Sequence, residues 1–257
     1  MFKKLILAVY FVLSFHALQA EKHFIVYTPP KCGTFMLVKT MELITQKKPY
    51  LALSGYGTEI DLLKLLKELR KKNQFLVTHT FNQNVLSTLV HAYQLIFIIR
   101  DPRDQLLSMS DWMAEGQWSH LQAAHISNQS ERISEMITGA RFGWKCCDDL
   151  LCRVNSLKPL NPMRYTVVRY EDLVGPKGGG SLEKQLEAVL AIAAALEIPL
   201  SAAQAADIAD QIYGEAGIGT FRNGKIGRWR DHFTAEHKEL FNAQYAKFLI
   251  KWNYSLD

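Results

Sequence analysis

Four short runs constrain this chain more than any other feature: His23–Thr28, Phe75–His79, Leu95–Ile99 and Tyr165–Arg169 are almost continuous in apolar and β-branched residues. A strand with one wet face alternates polar and apolar positions, whereas a strand apolar throughout must be covered on both faces. Helical patterns separate the runs. They span Phe35–Thr45, Glu59–Lys72 with leucines at 62, 63, 65, 66 and 69, Asp104–Met113, Arg141–Val154 and Leu182–Leu196. Strands alternating with helices imply a single-domain α/β fold, a mostly parallel sheet flanked by helices. No repeat or linker divides residues 21–257, and Lys177–Gly180 reads as a loop inside one domain.

Composition narrows the class. With 257 residues, 48% hydrophobic and 21% charged, the chain is neither disordered nor fibrous. A formal charge of +5 suits an anionic ligand and is too small to argue for nucleic acid. Four cysteines in this length are no disulfide scaffold. Cys146, Cys147 and Cys152 have no nearby partner that completes a zinc pattern, so they read as small buried thiols and no metal is expected. His120 and His125 fall in the polar stretch Gln117–Arg132, which reads as a lid or surface segment. The charges of 61–72 read as a solvated helix face.

Residues 1–20 read as a signal peptide. Lys3 and Lys4 precede an unbroken apolar run, Leu5–Leu13, and small Ala20 suits a cleavage site. The run is short for a membrane span, which takes about 20 apolar residues. An exported, secreted or lumenal protein is expected if the segment is a leader. An uncleaved anchor, with membrane contact through residues 1–20 alone, or a buried N-terminal helix is the alternative, and without a true signal peptide a cytoplasmic protein is expected.

In an open parallel sheet, ligands bind beyond the carboxyl ends of the strands. Each run delivers an unusual polar segment there: Pro29-Pro30-Lys31-Cys32-Gly33-Thr34, then His79, then Arg100-Asp101-Pro102-Arg103, then Tyr170-Glu171-Asp172. In the first, prolines stop the strand, Lys31 brings charge, Gly33 lets the backbone come close, and Thr34 opens a helix whose first N–H groups suit an anion. The nucleotide-triphosphate loop is nearly matched at Gly219-x4-Gly224-Lys225, but Ile226 stands where that motif needs a hydroxyl for magnesium, and no strand precedes it.

These residues together resemble the sulfotransferase family, whose donor is 3′-phosphoadenosine 5′-phosphosulfate. Tyr27–Thr34 resembles its 5′-phosphosulfate loop, Ile98–Asp104 through Ser108 its 3′-phosphate segment, and Arg169–Leu173 its Tyr-Glu-Asp turn. Thr220–Gly224, with Gly227, Trp229, His232, Phe233 and Thr234, resembles its C-terminal donor loop, so the likeness runs over 22–250. The resemblance implies a P-loop-like fold without a metal and gives each residue a role. Lys31 neutralises the bridging oxygen of the leaving phosphate. Backbone N–H groups of Cys32, Gly33, Thr34, Phe35 and Met36 cradle the 5′-phosphate. Arg100 and Ser108 grip the 3′-phosphate, and Arg222, Asn223 and Gly224 close over it. Phe221 and Tyr170 meet the adenine. His79 is the base, with Asp101 or Glu59 in reserve. The sequence departs from the family at Cys32, Phe35, Met36 and Asn223, and its dimer motif is altered at Arg230, Thr234-Ala235 and Glu239.

Sulfuryl transfer to a hydroxyl or amine acceptor is therefore the expected activity. The alternatives are a non-catalytic nucleotide-binding module on the same fold, or another phosphate-transfer α/β enzyme. The acceptor can be a small molecule, glycan, lipid or protein. Loops Pro49–Glu59 and Asp111–Phe142, with Tyr50, Tyr56, Trp112 and Trp118, are placed to line its pocket.

Overall fold

The computed structural model describes residues 22–53, 59–79, 89, 91–117, 119–214 and 222–257. The leader read in residues 1–20 lies outside them, as do Tyr56, Trp118, Thr220 and Phe221. A single sheet of five parallel strands runs in the order β2-β3-β1-β4-β5. The strands are β1 Phe24–Tyr27, β2 Lys48–Ala52, β3 Gln74–Thr78, β4 Gln94–Ile99 and β5 Tyr165–Arg169. Every residue of β1 and β4 is buried, as their unbroken apolar character requires. The run at 75–79 ends a residue early as a strand, and His79 stands just beyond it.

The edge strand β2 has no counterpart among the four runs. Its Tyr50 and Leu51 are exposed, and it carries Pro49, which only an edge accommodates because proline gives no N–H to a neighbour.

The helices are α1 Thr34–Thr45, α2 Glu59–Lys71, α3 Pro102–Ala114, α4 Gln129–Thr138, α5 Cys146–Ser156, α6 Tyr170–Leu173, α7 Leu182–Ala195, α8 Ala202–Gln211, α9 Trp229–His232 and α10 Ala235–Lys251. The helix expected over Arg141–Val154 is corrected: it starts at Cys146. Gly139 and Gly143 both adopt positive φ, and the Glu135 carboxylate accepts the N–H groups of Arg141 and Phe142, so this stretch is a turn. Cys146 and Cys147 are buried as expected, but Cys152 is exposed. Arg132, at the end of the presumed surface stretch, is also buried, on α4. Lys64, Lys67, Arg70 and Lys71 do face solvent on α2, whose Leu62, Leu66 and Leu69 are buried. No helix among the described residues is long and apolar enough to cross a membrane.

The connections place the site. After β1 the chain builds β2 and β3 on one side, then crosses to β4 and β5 on the other. The loops leaving β1 and β4 thus diverge over adjacent carboxyl ends, and the crevice between them is where such folds bind ligands.

Candidate active site

The loop after β1 turns sharply. Lys31 has φ 64° and Gly33 φ 94°, both left-handed. Glycine is needed at 33 twice over, because a Cβ there would also lie 2.5 Å from the Tyr170 ring. Gly33 is the N-cap of α1 and has no side chain to cap it, and the first helical bond runs from the Leu37 N–H to the Gly33 carbonyl at 3.1 Å. The N–H groups of Thr34, Phe35 and Met36 precede that bond, at the positive end of the helix.

Arg100 leaves the end of β4 and is 7% exposed. It donates to the Lys31 and Lys225 carbonyls, each at 3.2 Å, and lies over the Tyr170 ring at 4.3 Å. Its Nε has no hydrogen-bond partner. Tyr170 is therefore clamped between Gly33 and Arg100, and its hydroxyl donates to the Gly224 carbonyl at 2.6 Å. That bond ties the end of β5 to the 222–227 segment. The Gly178 carbonyl secures the segment further by accepting the Ile226 N–H at 3.0 Å. Asp104 of α3 accepts the N–H groups of Gly227 and Trp229.

These elements enclose a cavity of about 860 Å³. Lys31, Gly33, Thr34, Phe35 and Met36 line it from the β1 loop and α1. Arg100, Ser108 and Tyr170 line it from the β4 and β5 ends, and Arg222, Asn223 and Gly224 from the opposite side. The Lys31 Nζ is buried without a hydrogen-bond partner, 4.7 Å over the Trp112 ring. Burial, helped by Arg222 and Arg100, brings its pKa down to about 8. Arg222 gives its Nε to Glu115 at 2.6 Å and a second bond from Nη2 to the same carboxylate.

One sequence candidate sits elsewhere. Cys32 is wholly buried, its thiol pushed far up in pKa by burial, and its N–H turns to the Pro29 carbonyl at 3.4 Å rather than to the cavity. Phe221 lies outside the described residues. Asp101 is corrected as a reserve base. It caps α3 and binds Arg103 through both oxygens, at 3.0 and 2.8 Å, with both side chains buried. The Glu59 side chain is outside the described residues. Glu171 accepts the Asp101 N–H at 2.8 Å and the Tyr254 hydroxyl at 3.1 Å, and burial lifts its pKa to about 7.

His79 is not among the residues that line the cavity, and Thr28 links it to Thr34, which does line it. Its Nδ1 lies 2.7 Å from the Thr28 carbonyl, which can only accept, so Nδ1 carries the proton and a neutral ring has Nε2 as its acceptor. The Thr28 hydroxyl is 3.1 Å from the same nitrogen and 2.9 Å from the Thr34 hydroxyl. The sequence reading gave Thr28 no role; six residues before Thr34 across a tight loop was the available clue. Glu115 and Arg228 were missed because ion pairs between distant segments leave no local pattern. Among the described residues, no group of His, Cys, Asp or Glu could hold a metal ion.

A parallel sheet that brings uncapped helical N–H groups and two buried cations together at its switch point defines an α/β protein whose crevice is chemically suited to an anion. The chain matches the sulfotransferase domain over residues 21–213, and it belongs to that family. No curated protein sequence matches it. Among solved structures, it is similar to mouse sulfotransferase SULT7A1 complexed with PAP, at 18% identity and TM-score 0.62, with 87% of this chain and 84% of that one covered. Retinol dehydratase complexed with androsterone and the inactive cofactor PAP aligns at 17% identity and TM-score 0.60, over 88% and 80%. A sulfotransferase from Alicyclobacillus acidocaldarius aligns at 12% and 0.53, over 92% and 97%. At these identities the solved structures speak to the fold.

Proposed function

We propose that the protein transfers a sulfuryl group from 3′-phosphoadenosine 5′-phosphosulfate to an acceptor hydroxyl or amine, with His79 as base. The observation that carries this reading is one cavity holding Lys31 Nζ, Arg100 Nε and the uncapped start of α1, three anion-binding elements without partners of their own. The donor has two anionic ends, and the residues fit both. Lys31 and the Thr34–Met36 N–H groups meet the phosphosulfate, while Arg100 and Ser108 take the 3′-phosphate, where a planar guanidinium suits the oxyanion. Tyr170, fixed by Gly224, is placed to meet the adenine.

The transfer is an in-line displacement. The acceptor oxygen forms a bond to sulfur as the sulfur–oxygen bond to the 5′-phosphate breaks, and the acceptor proton passes to Nε2 of His79. Lys31 neutralises the charge that builds on the departing phosphate oxygen. Thr28 holds His79 in the tautomer that accepts a proton and ties its position to Thr34 on the donor side.

Thermal unfolding with the desulfated donor, PAP, tests the reading. At about 100 times its dissociation constant, PAP is expected to stabilise the protein by about 2.7 kcal/mol, and Arg100→Ala to abolish the shift. A folded protein with no shift at saturating PAP overturns the donor assignment. A binding module that has lost turnover, suggested by the departures at Cys32, Phe35 and Met36, would show the shift and no sulfated product. Turnover that disappears in His79→Ala while PAP binding stays sets that alternative aside.

A further inference from the structure

Glu171 is a largely buried carboxylate that the proposed transfer does not use. It follows Tyr170, the ring over which Arg100 lies at 4.3 Å. Its Oε1 accepts the Asp101 N–H at 2.8 Å, and that N–H belongs to the peptide directly after Arg100. Tyr170 and Glu171 therefore grip Arg100 twice, by a ring against the guanidinium and by a carboxylate on the next peptide. Asp101 is also the N-cap of α3, and Pro102 behind it has no N–H to give. Ser108, the second residue read as meeting the 3′-phosphate, stands on that helix. One bond from Glu171 thus bears on both groups that would hold the 3′-phosphate.

The carboxylate is itself held from behind. Its Oε2 accepts the Tyr254 hydroxyl at 3.1 Å and lies 3.9 Å from the Arg169 Nε. After α10 the chain turns back at Asn253, whose φ is 54°, and the Tyr254 N–H bonds to the Leu249 carbonyl at 2.9 Å. Tyr254 is 7% exposed. Arg169 lies over its ring at 4.5 Å and donates from Nη1 to the Trp252 carbonyl at 2.7 Å. A segment more than eighty residues away in the sequence is thereby fastened to the carboxylate that fixes Arg100.

The link to Asp101 does not depend on charge. Burial lifts the Glu171 pKa to about 7, and Asp101 adds to the rise while Arg100 opposes it. A neutral carboxyl still accepts the Asp101 N–H through Oε1 and turns its proton toward the Tyr254 oxygen. The geometry is therefore kept in either state. Geometry is what a guanidinium needs, since its paired bonds to a phosphate require the fork to be aimed.

We propose that Glu171 and Tyr254 are positioning residues for recognition of the donor's 3′-phosphate: Tyr254 holds the Glu171 carboxyl, which sets Arg100 and the start of α3 through the Asp101 N–H. The proposal rests on the donor reading for its ligand. Neither residue lines the donor cavity, so each acts on the ligand through the Arg100–Asp101 peptide.

Calorimetric titration of the full chain tests it, with PAP and with adenosine 5′-phosphate, which lacks the 3′-phosphate. The wild-type protein is expected to prefer PAP, and Arg100→Ala is the benchmark for loss of that preference. Glu171→Ala is expected to weaken PAP about tenfold, the scale of one hydrogen bond to a charged group, and to leave adenosine 5′-phosphate within about twofold. Glu171→Gln keeps an oxygen for the Asp101 N–H and is expected to restore PAP affinity. Tyr254→Phe removes one hydroxyl and is expected to weaken PAP about threefold, again sparing adenosine 5′-phosphate. It carries the test should Glu171→Ala fail to fold. A merely structural role would lower both affinities together, and that result overturns the proposal. So does Glu171→Gln binding PAP as weakly as Glu171→Ala, or a wild-type preference that the Glu171→Ala and Tyr254→Phe variants leave unmoved. A wild-type protein that binds the two nucleotides equally removes the 3′-phosphate role of Arg100, and the proposal falls with it.

Discussion

The protonation of Lys31 links the resting site to the anion it awaits. Its pKa is lowered to about 8 from an ordinary 10.5 by burial and by Arg222 and Arg100. Between those two values the unfolded chain binds the proton that the folded chain has lost, so this group makes the ligand-free protein more stable as pH rises from about 8 toward 10.5. A bound polyanion favours the charged form and raises the pKa again. PAP binding is therefore expected to take up a proton, with uptake growing as pH goes from about 7 to 9 and affinity falling above about 8. Calorimetry in buffers of different ionisation enthalpy reads the uptake directly. Lys31→Arg, which stays charged, is expected to abolish it, and uptake that persists in that variant would assign the proton to another group. His79 gives a separate test. His79→Ala is expected to lower kcat by about 10²- to 10⁴-fold, the range of a lost general base, with the PAP dissociation constant unchanged. Thr28→Val keeps the carbonyl that orients the ring and removes the hydroxyl link to Thr34. A drop in kcat of about tenfold is expected, the scale of one hydrogen bond.

At the scale of elements, what could be read from the chain divides by how local its cause is. The buried strands and the carboxyl-end segments were legible because continuous apolar runs and the Lys31–Thr34 turn are local patterns. The edge strand β2 was not, since its strand character comes from pairing with β3 rather than from its residues. Helix α10 was overlooked although its buried Phe241, Tyr245, Phe248 and Leu249 recur at helical spacing behind a Thr234–His237 capping box. The reserve role given to Asp101 failed because a carboxylate at a strand end says nothing of the arginine two residues later that folds back onto it. That pair is structural. Breaking it with Asp101→Asn is expected to cost about 3–5 kcal/mol in stability, since Arg103 would stay buried with its charge unmatched. Chemical denaturation checks this, and a loss under about 1 kcal/mol would mean that water replaces the partner. Gly33→Ala acts on the site instead. It combines a left-handed φ with a clash against Tyr170, so PAP binding is expected to weaken more than tenfold by calorimetry.

For the whole molecule, the unresolved choice in the sequence is the address. We propose that the apolar run Leu5–Leu13, with Lys3 and Lys4 before it, is a leader cut after Ala20. The fold limits where such a cut can fall. β1 begins at Phe24 and is the central strand, bonded to β3 on one side and β4 on the other. The Gln94 N–H also bonds to the His23 carbonyl at 2.7 Å, and Lys22 pairs with Glu197 at 3.1 Å. Cleavage after Ala20 spares each of these contacts, whereas a cut inside 22–24 would remove the start of the central strand. Expression of the full chain in a cell with an active export pathway, followed by intact-mass measurement, is therefore expected to give a soluble exported species beginning at Glu21. Recovery of the intact chain from the membrane fraction would make the same segment an anchor. Recovery from the cytosol with Met1 in place would remove the export reading. Either result would leave the cavity between the β1 and β4 loops unaffected, since it is built from residues beyond 30.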